Sequence, residues 1–155
     1  MTAEDRVREL GLDLSRPATP VANYAPTVRT GNLVFTSGHV PAAGPDGSRP
    51  SGKLGADFDV EQGYQIARSV AVAMLASLRA EIGSLDRVRR VVKLLGMVNA
   101  TADFTQHPRV VNGASDLLVE VFGEAIGKHA RSAIGVASLP AGVPVEIEMV
   151  AEVEP

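Results

Sequence analysis

The chain has 155 residues, of which 45% are hydrophobic and 21% charged, with no cysteine and a formal net charge of -3. That length suits one ordinary domain, which buries roughly 70% of the surface its unfolded chain exposes, and the composition is that of a globular protein. The absence of cysteine excludes a disulfide framework, thiol catalysis and thiolate metal sites, and a net acidic chain with 4% aromatic residues and no Trp has little to hold nucleic acid or an anionic membrane.

No segment approaches the ~20 uninterrupted apolar residues of a membrane span. Residues 1–14 mix acids and bases and lack the apolar stretch of a secretory signal. A cytoplasmic protein is the expectation, with neither nucleic acid nor membrane as a partner.

In chain order, Ala3 to Gly11 reads as a short amphipathic helix, with Glu4 and Asp5 in its first turn and Gly11 at its end. Pro17, Pro20 and Pro26 impose an extended connector. Thr27-Val28-Arg29 and Leu33-Val34-Phe35-Thr36, separated around Gly31-Asn32, predict a hairpin. Gly38 to Gly55 is rich in Gly, Pro and Ser, which predicts a loop with a short strand pairing near Val40.

Val60 to Ile82 is the clearest helix. Tyr64, Ala67, Ala71, Met74, Leu75, Leu78 and Ile82 recur at three- and four-residue steps, Asp59 and Gln62 form a capping-box pattern, and Gly83 closes the far end. Arg87 to Asn99 is rich in valine and predicts a strand. Ala100 to Val110, which holds Pro108, reads as a loop, and Asn112 to Gly127 as the second long helix. Arg131 to Leu139 predicts a strand, Pro140 to Val143 a tight turn, and Pro144 to Val153 a last strand. Two helices against these strands imply a single two-layer α+β domain over residues 1–155, with a mixed sheet covered on one face. Residues 1–23 form a terminal helix and connector, and residues 24–153 form the core.

The last strand divides its faces. Val145, Ile147 and Met149 point one way, and Glu146, Glu148 and Glu152 the other, with the acidic side expected beside the strand that begins at Arg131. A solvated outer face with cross-strand ion pairs explains this equally well.

Several segments together are recognisable. Arg131-Ser-Ala-Ile-Gly-Val-Ala-Ser-Leu-Pro140 followed by Val145-Glu-Ile-Glu148 resembles the closing signature of the RidA family, also called YjgF or endoribonuclease L-PSP. Arg29 to Gly38 is similar to that family's first hairpin, Tyr24 stands where its N-terminal tyrosine does, and Asp103-Phe104 with Asn112 resembles the stretch that opens its second helix. The resemblance runs from about Tyr24 to Glu148 and implies a chorismate-mutase-like fold. It further implies a homotrimer with clefts between subunits, and no cofactor or metal. The implied activity is hydrolysis of 2-imino acids, or their enamine tautomers, to 2-oxo acids and ammonia.

The chemistry of these residues suits that role. A guanidinium holds a carboxylate by two parallel hydrogen bonds, which lysine cannot do, and a nearby acid orients a water and takes its proton. The resemblance gives these tasks to Arg131 and Glu146, places Tyr24, Ser37 and Asn112 along the pocket, and has the carbonyl of Ala133 hold the water. Each also has a plainer reading: Arg131 a surface ion-pair partner, Glu146 a solvated strand residue, Tyr24 a packed aromatic with its hydroxyl bonded, Asn112 a helix N-cap. The three histidines are scattered, which predicts no metal site, although His129 is two residues before Arg131 and could share its strand face. His107 reads as loop surface. His39 in place of a glutamine, Pro26, Lys128-His129-Ala130 before the arginine, the long Asp103–Asn112 stretch, the first helix and the Gly38–Gly55 loop depart from the family pattern. Two rival functions remain: an endoribonuclease or translation inhibitor, and a non-catalytic trimer that binds small carboxylates or partner proteins.

Overall fold

The computed structural model describes residues 1–155. Its helices are α1 (Ala3–Glu9), α2 (Val60–Ile82), α3 (His107–Phe122) and the single turn α4 (Glu124–Gly127). Its strands are β1 (Thr27–Thr30), β2 (Leu33–Thr36), β3 (Val88–Asn99), β4 (Ala130–Val136) and β5 (Val145–Val153), forming one sheet in the order β1-β2-β5-β3-β4. All pairs are antiparallel except β3 with β4, which α3 connects as a crossover. The two-layer α+β architecture with helices on one face is as the sequence predicts.

Local chemistry explains the main elements. Asp59 and Gln62 make the reciprocal capping box at the start of α2, and Gly83, with φ of 83°, ends it. Ala67, Val70, Ala71, Met74, Leu75 and Leu78 of α2 and Val110, Val111, Ala114, Leu117 and Leu118 of α3 are fully buried. They meet Val34, Val91, Leu94, Val98, Val145, Ile147 and Ala151 from the alternating inward positions of the strands. At the centre, a Cβ on Gly113 would run into the carbonyl of Tyr64, so only glycine lets α3 lie this close to α2. Gly96 of β3 likewise makes room for Val111.

The opposite face of the sheet carries no helix. Val28, Phe35 and Ile134 are exposed there, at 58%, 44% and 44%. No helix of the chain is long and apolar enough to cross a membrane.

Three expectations need correcting. Helix α3 begins at His107, five residues before Asn112, because Pro108 sits in its first turn, where the missing N–H has no intrahelical partner to lose. The helix ends at Phe122, and α4 is a separate turn beyond Gly123. Strand β5 lies between β2 and β3, so its acidic face is not beside the strand of Arg131; β3 intervenes.

The Gly38–Gly55 segment is a loop, pinned where His39 bridges Ile147 and again where Leu54 bridges Ala100. Asn99 organises that second anchor. Its carboxamide oxygen accepts from Lys53 Nζ at 2.6 Å, and its nitrogen donates to the carbonyls of Gly52 and Val143 at 3.3 Å each.

Candidate active site

Strand alternation sends Arg131 and Ala133 toward the helices, because they pair with the inward-facing Leu94 and Gly96. Arg131 Nη1 donates to Ser115 Oγ at 3.0 Å and Nη2 to the carbonyl of Pro108 at 3.1 Å, both on α3. A guanidinium has five N–H donors, so three remain. Arg131 takes part in none of the ion pairs of the chain, which removes the reading of a surface salt-bridge arginine. Burial lowers its pKa, an effect opposed by the charge of Asp116.

His129 joins the same cluster. Its Nδ1 lies 2.6 Å from the carbonyl of Gly127, and a carbonyl only accepts, so Nδ1 carries the proton. Nε2 is then the acceptor, and it receives the hydroxyl proton of Ser115 at 3.0 Å. The order is Arg131 N–H to Ser115 Oγ, Ser115 O–H to His129 Nε2, and His129 Nδ1–H to Gly127 O. Burial first, and then the Arg131 charge, lowers the His129 pKa. The sequence placed His129 near Arg131 but missed Ser115, whose only signal was its position one helical turn after Asn112.

Asn112 is half-buried in the second turn of α3 and is not its N-cap; Gln106 holds that position without a side-chain bond. Ala133 is half-buried against the core.

The other candidates gather elsewhere. Glu146 pairs in register with Met97 and faces away from the helices, with its carboxylate over the backbone of Gly38. Burial first, and Glu148 second, raises its pKa. Ser37 is beside Gly38 and donates its hydroxyl at 2.6 Å to the carbonyl of Ala25, the residue after Tyr24. Tyr24 is 51% exposed, hence not a packed aromatic.

The candidates therefore form two half-sites: Arg131, Asn112, Ser115, His129 and Ala133 on one, and Glu146, Ser37 and Tyr24 on the other. Met97 pairs with both Glu146 and Ile134. Arg131, three residues before Ile134, is thus about 10 Å along the strand and about 10 Å across the sheet from Glu146, on the opposite face. One copy of the chain does not bring Arg131 and Glu146 to a common substrate.

His39 is 3% exposed, and His107 opens α3 with its ring edge-on to Phe104 at 5.3 Å. A cleft of about 510 Å³ lies past the end of β4, lined by Lys53, Thr101, Phe104, His107 and Gly135 among others, and neither Arg131 nor Glu146 borders it. No three His, Cys, Asp or Glu side chains stand close enough to hold a metal ion.

Comparison with known proteins adds the lineage. Residues 4–153 match the family described as "YjgF/chorismate_mutase-like, putative endoribonuclease". Protein TCP17 of Trypanosoma cruzi is 42% identical over 146 residues, covering 94% of this chain and 91% of its own. A structure from Agrobacterium tumefaciens, described as of unknown function, superposes with a TM-score of 0.86 at 39% identity over 98% of this chain and 92% of that one. One from Shewanella oneidensis, named a "putative endoribonuclease", reaches 0.92 at 34% identity over 99% and 100%. RidA from Psychrobacter sp. aligns at 0.60 with 28% identity over 91% and 96%. The chain belongs to the YjgF/RidA family and has its chorismate-mutase-like α+β fold.

Proposed function

We propose that the protein hydrolyses reactive 2-imino or enamine acids to 2-oxo acids and ammonia, in clefts between the subunits of a cytoplasmic homotrimer. Arg131 grips the substrate carboxylate, Glu146 of a neighbouring copy steers the attacking water and takes its proton, and the carbonyl of Ala133 helps hold that water. Tyr24, Ser37 and Asn112 line the cleft. The observation that carries the reading is a half-buried guanidinium, fixed by Ser115 and Pro108, with no carboxylate partner of its own. Such a group is a preorganised anion receptor with donors to spare. Assembly is supported by the exposed Val28, Phe35 and Ile134 on the helix-free face and by half-sites that one copy leaves apart.

The test generates a 2-imino acid in place with an amino-acid oxidase and measures 2-oxo acid release with and without the protein. Acceleration by the wild type, its loss in Arg131→Ala and a trimer in sedimentation are the expected results. Carboxylate binding with no acceleration makes the protein a binding module instead. RNA cleavage that survives repurification favours the nuclease of its relatives' names, which the net charge of -3 opposes.

A further inference from the structure

Imine hydrolysis moves protons at two stages, water addition and loss of ammonia. Water adds to the protonated C=N carbon and gives a proton to Glu146, leaving a neutral carbinolamine. For ammonia to depart, the amine nitrogen must gain a proton, which Glu146 can return. The carbinolamine hydroxyl must at the same moment lose one as C=O forms and C–N breaks. Unless the regenerated Glu146 carboxylate takes that proton back, it needs a second acceptor, on the side of the substrate held by Arg131.

We infer that Ser115 and His129 form the relay that takes it: Ser115 Oγ accepts the proton of the substrate hydroxyl while its own passes to His129 Nε2. This rests on the imine-hydrolysis reading and adds two residues to it. The step balances, since a neutral carbinolamine and a protonated Glu146 become a 2-oxo acid, ammonia, a Glu146 carboxylate and a His129 imidazolium, which then releases its proton to water.

The geometry supports each link. The Gly127 carbonyl holds His129 Nδ1–H at 2.6 Å and so leaves Nε2 bare. Ser115 Oγ lies 3.0 Å from that nitrogen and 3.0 Å from Arg131 Nη1. A carboxylate on the remaining donors of Arg131 therefore has its α-carbon substituents within reach of Ser115, whose second lone pair is free to accept. The charges facing His129 are few. Arg131 on β4 disfavours the imidazolium, and Asp116 on α3 acts on Arg131. Lys128 beside it is 4.0 Å from Glu124 of α4. Burial keeps the ring neutral and able to accept at ordinary pH.

The experiment compares wild type, His129→Gln and Ser115→Ala by kcat, KM and the pH profile of kcat for a 2-imino acid, with benzoate affinity and thermal melting alongside. The glutamine in His129→Gln keeps an acceptor for the Ser115 hydroxyl but cannot take up a proton. The expected result is a kcat loss of about 100-fold or more in both variants, with benzoate affinity within about twofold of wild type in His129→Gln, which leaves the bond from Arg131 to Ser115 in place. The acid side of the wild-type profile carries the titration of His129 as well as that of Glu146, and in His129→Gln only the Glu146 part remains, a change that a purely structural role would not cause. Wild-type kcat with an unchanged acid limb in His129→Gln overturns the relay and leaves the deaminase intact. A wild type that accelerates no imine hydrolysis overturns the deaminase and the relay with it.

Discussion

The carboxylate of Glu146 lies across the α-carbon of Gly38, so near that a methyl group there would overlap Oε1. The gap left by glycine at the end of β2 is what lets this acid settle half-buried beside Ser37. The obstructing atom is the far end of a flexible side chain, so Gly38→Ala is expected to push the carboxylate aside and leave the fold intact. Imine hydrolysis should fall about 10- to 100-fold while the melting temperature moves little. An unchanged rate in Gly38→Ala removes Glu146 from the chemistry.

Gly113 presents the opposite case. The atom that a Cβ would strike is the main-chain carbonyl of Tyr64, which cannot rotate away. Gly113→Ala is expected to force α2 and α3 apart and cost about 1–3 kcal/mol. Urea unfolding measures this directly, and a variant as stable as wild type would show that the two helices are free to slide.

His39 makes stability depend on pH. Its Nδ1–H donates to the carbonyl of Ser37 at 2.8 Å, and its Nε2 accepts from Ser77, whose oxygen in turn takes the N–H of Ala18 at 3.1 Å. Burial depresses its pKa below the unfolded value of about 6.5. As pH falls through that value, the unfolded chain takes up the proton first. The neutral ring's contribution is therefore complete above about 6.5 and is lost progressively below it. Denaturant titrations at several pH values should show wild-type stability declining more steeply on acidification than that of His39→Gln. Parallel slopes would mean that the ring titrates as freely in the fold as out of it.

Arg131→Lys keeps a positive charge but lacks the planar fork that bonds Ser115 and Pro108 while facing a ligand. Losing charge-assisted hydrogen bonds worth about 1.5–3 kcal/mol is expected to weaken benzoate binding about 10- to 100-fold. Calorimetry with benzoate checks it, and undiminished affinity would mean that charge alone, without geometry, attracts the carboxylate.

Much of the fold was legible because its signals are local. The stripe from Tyr64 to Ile82 and the Asp59–Gln62 pair mark α2 to the residue. The start of α3 was not legible, because Pro108 reads as a breaker in sequence yet is harmless in a first turn, and Gln106 supplies no capping bond. The site residues stood out as types, but their grouping did not. That β3 inserts between β4 and β5 is a long-range pairing that no neighbouring residue encodes, and with the register of the three strands it separates Arg131 from Glu146. Ser115 went unnoticed since a helical serine looks the same whether or not a histidine beyond the helix receives its proton.

The anchor at Asn99 has a bearing on how the surface can vary. With Lys53 and Leu54 tied to β3 and His39 tied to β5, the stretch between them hangs from two fixed posts. Its outermost part closes on itself, through Gly44 N–H to the carbonyl of Ser48 at 2.7 Å and Arg49 Nε to that of Pro41 at 2.9 Å. Longer or shorter versions of it cost little closure entropy, which makes residues 43–48 a natural place to graft a tag or a reporter peptide.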